Sequence, residues 1–348
     1  MTTGNKADAV FEGGGVKGIG LVGALQAFEE AGFEWQNVAG TSAGAISAAL
    51  VAVGYTAAEV KVIMDTRVVF RKFMDKNTFG KVPVIGPYLS LGFTNGLYKG
   101  DYFLELMREL IHEKTGSRKL VFGDLTMPKE PGDSDADYER QYKYKLRLIA
   151  SDVSLNELLV LPQHATELGV DPDRLEVALA VRASMSIPFF FKPLAFREPR
   201  RPLRVHHIVD GGMLSNFPID LFDSPGEPSW PTFGFLLWEP GSDDRTLKRV
   251  RGPVTLTRAI IETLTNAHSR KLIREADETR LVKIPTGKYV ATDFDLTKDD
   301  TEWLFASGYN TAVEFLKTWD FERYKVKSNR TSEQAAVQHT DGSEPVSR

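Results

Sequence analysis

The chain has 348 residues, 42% of them hydrophobic and 26% charged, and a formal net charge of −4. This composition excludes a disordered or membrane-embedded polypeptide and offers no general basic field for nucleic acid. Cysteine is absent, which excludes disulfides, thiolate chemistry and cysteine-based zinc sites.

In chain order, DAVFEG (8–13) reads as a strand and GIGLVGALQAFEEAG (18–32) as a helix closed by Gly32. A second strand, WQNVAGT (35–41), leads into a helix of small residues, AGAISAALVAVG (43–54). Helices are predicted over 56–74 and 100–116, the first followed by a glycine- and proline-punctuated apolar loop over 79–100. A polar excursion (129–141) precedes the strand YKLRLIASDVS (144–154). The stretch 173–188 is helix-like until Pro188, FREPRRPLRVHH (196–207) reads as a basic, solvated loop, and HHIVDGG (206–212) is a strand running into a turn. A strand at 231–240 and helices at 254–277 and 301–319 complete the pattern.

Strands alternating with helices predict an α/β fold with a mainly parallel central sheet. We expect one domain over 7–325 and a disordered tail over 326–348, where apolar periodicity is lost. No Sec-type signal is visible at the N-terminus, and the longest apolar stretch (43–55) is well short of the ~20 residues that span a bilayer. The expectation is a cytoplasmic protein, peripheral at a membrane surface at most.

GTSAG (40–44) fits G-x-S-x-G, the pattern of a nucleophile elbow. A serine on a tight strand-to-helix turn projects its hydroxyl, and Gly40 and Gly44 let strand and helix approach. The plainer reading makes Ser42 an ordinary helix N-cap. EGGGVKGIG (12–20) is not a P-loop, because Lys17 lacks a following Ser or Thr. Gly13, Gly15 and Gly18 satisfy G-x-G-x-x-G, yet no convincing acidic residue ends the second strand. Consecutive glycines at a helix start also present uncovered N–H groups to a developing alkoxide, and with Ser42 nearby the oxyanion reading wins over the nucleotide one. Lys17 either orients this loop or is a solvated helix-start lysine.

A serine nucleophile needs a base. Of the six histidines, only His206 and His207 lie near a motif, and none has a context typical of a Ser…Asp…His order. Asp210, in VDGGMLSNFP (209–218), ends an apolar strand on a Gly-Gly turn and is suited to take the serine proton directly. Alone, an Asp that merely initiates a turn is the simpler account.

Together, GGGVKG (13–18), GTSAG (40–44) and DGG (210–212) resemble the patatin-like phospholipase family. FGDL (122–125), LIASDV (148–153), ASMSIPFFFKP (183–193), Asn216 and Pro218 agree with it. The resemblance is strongest over residues 7–222 and loose through 293–297 and 307–316, with 223–325 expected to pack on that part. It implies a three-layer α/β/α fold and a Ser42–Asp210 dyad. It also implies an oxyanion hole from the amides of Gly14, Gly15 and Val16, supported by Gly13, Lys17, Gly18, Gly40, Gly44 and Gly211. The implied activity is hydrolysis of acyl esters in phospholipids or related lipids, with no cofactor and no metal. The implied partner is a lipid or membrane-surface substrate; composition gives no support for nucleic acid, and a protein activator is left open, not readable from the sequence. Lys17 stands where many members carry Arg, so only a point charge is retained.

Two apolar stretches, 82–93 and 185–196, are candidates for a lipid-facing rim or acyl pocket. The competing readings are a Ser-His-Asp esterase, a catalytically silent or activator-dependent lipid-binding protein of the same fold, and a nucleotide-binding protein.

Overall fold

The computed structural model describes residues 5–67, 96–129, 138, 143–223, 227–239, 259, 263, 278–291, 293 and 295–327. Its strands are β1 (Asn5–Phe11), β2 (Phe33–Thr41), β3 (Gly96–Tyr98), β4 (Leu146–Asp152), β5 (Glu157–Leu161), β6 (Phe189–Phe191), β7 (Leu194–Glu198), β8 (Arg201–Asp210), β9 (Thr232–Trp238) and β10 (Leu281–Pro285). The α-helices are α1 (Ile19–Glu30), α2 (Ala43–Ala52), α3 (Ala57–Thr66), α4 (Asp101–Thr115), α5 (Val177–Ser184) and α6 (Lys298–Thr318).

Five strands run parallel in the order β10-β9-β1-β2-β4. Parallel strands covered on both faces need continuous apolar runs, and β4 is buried along its whole length. On one face Phe28 of α1 meets Phe233 and Phe235 edge-on, and Phe11 stacks on Phe235. Helix α6 crosses α1 at small residues: a Cβ on Gly308 would lie 1.9 Å from Gly20 O. The C-terminal helix therefore sits against the first helix of the chain.

The sheet is mixed, because β5, β7 and β8 add an antiparallel wing. The pairing along β4 positions the site. Residues Leu148–Asp152 pair with β5, Leu146–Ile149 with β2, and Ala150–Asp152 with β8. A strand has two edges, so β2 and β8 must share the edge opposite β5. They run toward each other along it, and Thr41 opposite Ile149 abuts Asp210 opposite Ala150.

Several elements differ from the sequence expectation. Residues 196–207 are not a loop but most of the β7–β8 hairpin, in which Glu198 pairs with Arg201. The side chains there are largely exposed, so apolar alternation is weak and cross-strand pairing decides the conformation. Helix α5 spans only Val177–Ser184, because Asp171 and Pro172 start a separate 3-10 turn. Residues 67–74 of the first long predicted helix, the apolar loop 82–93, the helix 254–277 and most of the polar excursion lie wholly or largely outside the described residues. So do residues 328–348 of the predicted tail, whereas 321–327 are helical.

Candidate active site

Ser42 follows β2 directly and precedes the first residue of α2. Its backbone lies at φ 54 and ψ −120, a region that costs a non-glycine residue about 1–3 kcal/mol. Its side chain makes no N-cap hydrogen bond, so the hydroxyl is not consumed as an ordinary cap. The turn needs glycine on both sides. A Cβ on Gly44 would sit 2.3 Å from Phe11 O, and one on Gly40 would sit 2.3 Å from Gly44 C.

The elbow is held from outside by Ser184 at the end of α5. Its Oγ accepts the Ser42 N–H (3.0 Å) and donates to Ile149 O (2.6 Å). Asp210 is tied to the same segment, donating its N–H to Ser186 O (2.9 Å). One short stretch, 184–186, therefore fixes the backbones of both residues. Beneath it Arg182, 2% exposed, bonds the Ser186 hydroxyl, Lys99 O and Lys192 O. Removing this guanidinium strands the Lys99 and Lys192 carbonyls, while the Ser186 hydroxyl keeps its bond to the backbone carbonyl of residue 182. We expect Arg182→Ala to lower stability by about 3 kcal/mol or more, read as a fall in the denaturant midpoint.

Asp210 is 6% exposed. Its Oδ1 accepts the Gly212 N–H (2.7 Å), and a Cβ on Gly211 would strike Ile149 O at 2.3 Å, so the turn lies flat against β4. Burial pushes the carboxyl up to about 6, opposed by the Ser42 hydroxyl and the Gly212 amide. Oδ2 keeps no partner of ordinary hydrogen-bond geometry among the described residues. The Ser42 hydroxyl is thus near enough to favour the carboxylate without being locked onto it, as is common before substrate binds.

The glycine loop packs on the serine: a Cβ on Gly13 would lie 3.2 Å from Ser42 Cβ, and one on Gly18 3.2 Å from Ala43 Cβ. Gly13 N–H donates to Asn216 O (3.0 Å), and Asn216 Nδ2 donates back to Gly13 O (3.0 Å) and to Glu12 Oε1 (3.2 Å). Glu12 Oε2 accepts the Leu237 N–H (2.7 Å). Of the three amides expected to form an oxyanion hole, that of Val16 is engaged, donating to Ala291 O (3.1 Å). The N–H groups of Gly14 and Gly15 have no hydrogen-bond partner among the described residues. Lys17 is 9% exposed and pairs with Glu239 at 2.9 Å. It anchors the loop, and its charge is matched rather than projected at the site.

None of the described histidines bonds to Ser42. His206 holds Asp152 through Nδ1 (2.6 Å), and His207 contacts Ser154. Among the described residues no histidine supplies the base of a Ser-His-Asp reading; His268 and His339 lie outside them. Among the described residues there is no cluster of three or more metal-ligating side chains, and no helix is long and apolar enough to cross a membrane.

Beside Ser42 a narrow apolar cleft of about 40 Å³ opens at Gly15, Gly18 and Ala43. It runs between α2, α3 and α4, past Leu50 and Val60 to Phe103 and Met107. Of the phenylalanine run in 185–196, Phe191 is buried and Phe189 is half exposed.

Sequence reasoning missed Ser184, Ser186, Arg182 and Glu12 as supports. Two signals were present: an arginine inside the apolar run VALAVRAS, and a glutamate ending an apolar strand immediately before three glycines. Each predicts a buried, partnered charge.

A mixed α/β sheet thus brings a strained serine, a buried aspartate and a glycine loop to one strand junction. The patatin-like phospholipase family model matches residues 9–223, and the chain belongs to this family of lipid acyl hydrolases. It is 38% identical over 315 residues to the uncharacterized protein YqhO of Bacillus subtilis, covering 90% of this chain and 99% of that protein. It is 26% identical over 247 residues to human patatin-like phospholipase domain-containing protein 6, covering 71% of this chain but 14% of that protein. The crystal structure of VipD from Legionella pneumophila is similar in fold, with a TM-score of 0.50 at 16% identity, covering 90% of this chain and 67% of that one.

Proposed function

We propose that this protein hydrolyses carboxylic esters of phospholipids or related lipids with Ser42 as nucleophile and Asp210 as the base, releasing free fatty acid. The observation that carries the reading is the meeting of β2 and β8 along one edge of β4, which brings Ser42 and Asp210 together.

Ser42 Oγ attacks the ester carbonyl while Asp210 takes its proton. The Gly14 and Gly15 amides receive the oxyanion of the tetrahedral intermediate, where each such donor is worth roughly 100- to 1000-fold. Collapse breaks the ester bond, and the alcohol leaves with the proton held by Asp210. Water, deprotonated by Asp210, then attacks the acyl-enzyme, and the fatty acid departs as Ser42 regains its proton. The cleft beside Gly15 and Ala43 is lined by apolar side chains apart from Ser47, which favours the apolar end of a lipid over its head group there.

The test is mass-spectrometric detection of products from mixed phospholipid micelles, comparing wild type with Ser42→Ala. Serine-dependent release of fatty acid and lysophospholipid supports the proposal; identical product yield from both proteins overturns it. The pH profile is a second check. A base must be ionised to act, so kcat/KM is expected to rise with pH through an inflection near the Asp210 value of about 6. An activity that falls with rising pH across that range contradicts the role of Asp210.

A further inference from the structure

Beyond the catalytic centre, the antiparallel wing of the sheet leaves one surface unexplained. Four of the nine large apolar side chains exposed among the described residues belong to the wing's strands and turns: Val153, Leu155, Leu158 and Leu203. Leu203 is 97% exposed and packs on nothing. Around it, residues 197–204 carry four arginines (Arg197, Arg200, Arg201 and Arg204) against one acid, Glu198. All four arginines are exposed, on a chain whose formal net charge is −4. Glu198 is shared between Arg204 and His206, while Arg200 and Arg201 make no close ion pair among the described residues.

The register gives this patch a direction. β8 enters the sheet from beyond the C-terminal end of β4 and stops at Asp210. At about 3.3 Å per residue, Leu203 stands roughly 20 Å beyond Asp210, past the strand ends where Ser42 lies. The neighbouring β4–β5 turn, carrying Val153 and Leu155, is tied to β8 by the hydrogen bond from Val153 N–H to His207 O (3.1 Å). The β4–β5 turn and the outer end of the β7–β8 hairpin thus present aliphatic side chains at the same end of the sheet, the second flanked by guanidinium groups.

We propose that these turns form a docking surface for an anionic lipid bilayer, with Arg200 and Arg201 meeting head groups and Leu203 entering the interface. The choice of partner rests on the lipid reading above. Anionic lipid complements the local excess of arginine, and a fully exposed leucine gains from an acyl layer what it cannot gain from a polyanion in water. Nucleic acid would use the arginines alone.

The experiment is co-sedimentation of the full-length Ser42→Ala protein, which cannot consume the lipid. The probes are vesicles of phosphatidylcholine alone and of equal parts phosphatidylcholine and phosphatidylglycerol. We expect pelleting with the anionic vesicles only, weakening with salt. Adding Arg200→Gln with Arg201→Gln should reduce affinity about 25-fold, at about fivefold per charge, and Leu203→Ser should reduce it about tenfold. Unchanged binding in both variants, or no binding by the parent, overturns the proposal. A single-stranded oligonucleotide that binds through the arginines while Leu203→Ser changes nothing also overturns it. Hydrolysis of soluble p-nitrophenyl butyrate by the same hairpin variants, with Ser42 intact, separates the two readings. Hairpin-dependent vesicle binding without any ester hydrolysis would sink the hydrolase and keep the surface; intact hydrolysis without vesicle binding would do the reverse.

Discussion

Ser42→Ala is expected to lower kcat by at least about 10⁴-fold, and Asp210→Asn by about 10³- to 10⁴-fold, with both proteins folded. What distinguishes the two is stability. The alanine variant removes a hydroxyl whose backbone strain remains, so its midpoint should barely move. Asp210 is different because its carboxyl is raised from 3.8 to about 6 by burial. Ionising it inside the fold therefore disfavours the native state by about 3 kcal/mol at neutral pH. The sign follows from the proton count: below the unfolded value both states hold the proton, and as pH rises to about 6 only the unfolded state releases it readily. Native stability from this group is full at low pH and is lost as pH passes through about 6. Asn cannot ionise, so Asp210→Asn should be more stable than wild type at pH 8 and nearly equal at pH 4, measured by denaturant unfolding. An asparagine variant that is inactive but no more stable at pH 8 would mean that Asp210 is not held as a buried charge.

Gly15→Ala should cost about 100- to 1000-fold in kcat with a smaller change in KM. Gly15 sits at φ +57, and a Cβ there would lie 1.9 Å from Ala291 O. The backbone of residue 291 would have to withdraw, releasing the Val16 amide that donates to it. The loop would then turn the Gly14 and Gly15 N–H groups away from the carbonyl oxygen of the ester that Ser42 is proposed to attack. The left-handed conformation adds about 1–2 kcal/mol of strain for alanine, a modest loss of stability beside the loss of rate. Steady-state kinetics on a soluble ester, paired with unfolding, separates these effects. Equal kcat in Gly15→Ala and wild type would remove the glycine loop from the mechanism.

The parts of this site that could be read from the chain are those set by neighbours in sequence. Gly40 and Gly44 flank a serine because strand, turn and helix cross within a few residues, and a Cβ there meets backbone. Asp210 before Gly211 and Gly212 was legible for the same reason. The antiparallel wing was not, since its hairpin carries exposed arginines instead of alternating apolar residues. Nor was the service of Val16 to Ala291, which joins segments far apart in the chain.

The sequence by itself determined the family, the tight serine turn, the glycine loop and the aspartate turn, because short-range sterics and hydrogen bonding confine those residue types to few conformations. Only the tertiary structure decided that β8 runs against β2 along the same edge of β4, that residues 184–186 hold both Ser42 and Asp210, and that Asp210 is buried enough to titrate near 6. Strand register and desolvation depend on which distant segments pack together, and no local pattern encodes that choice.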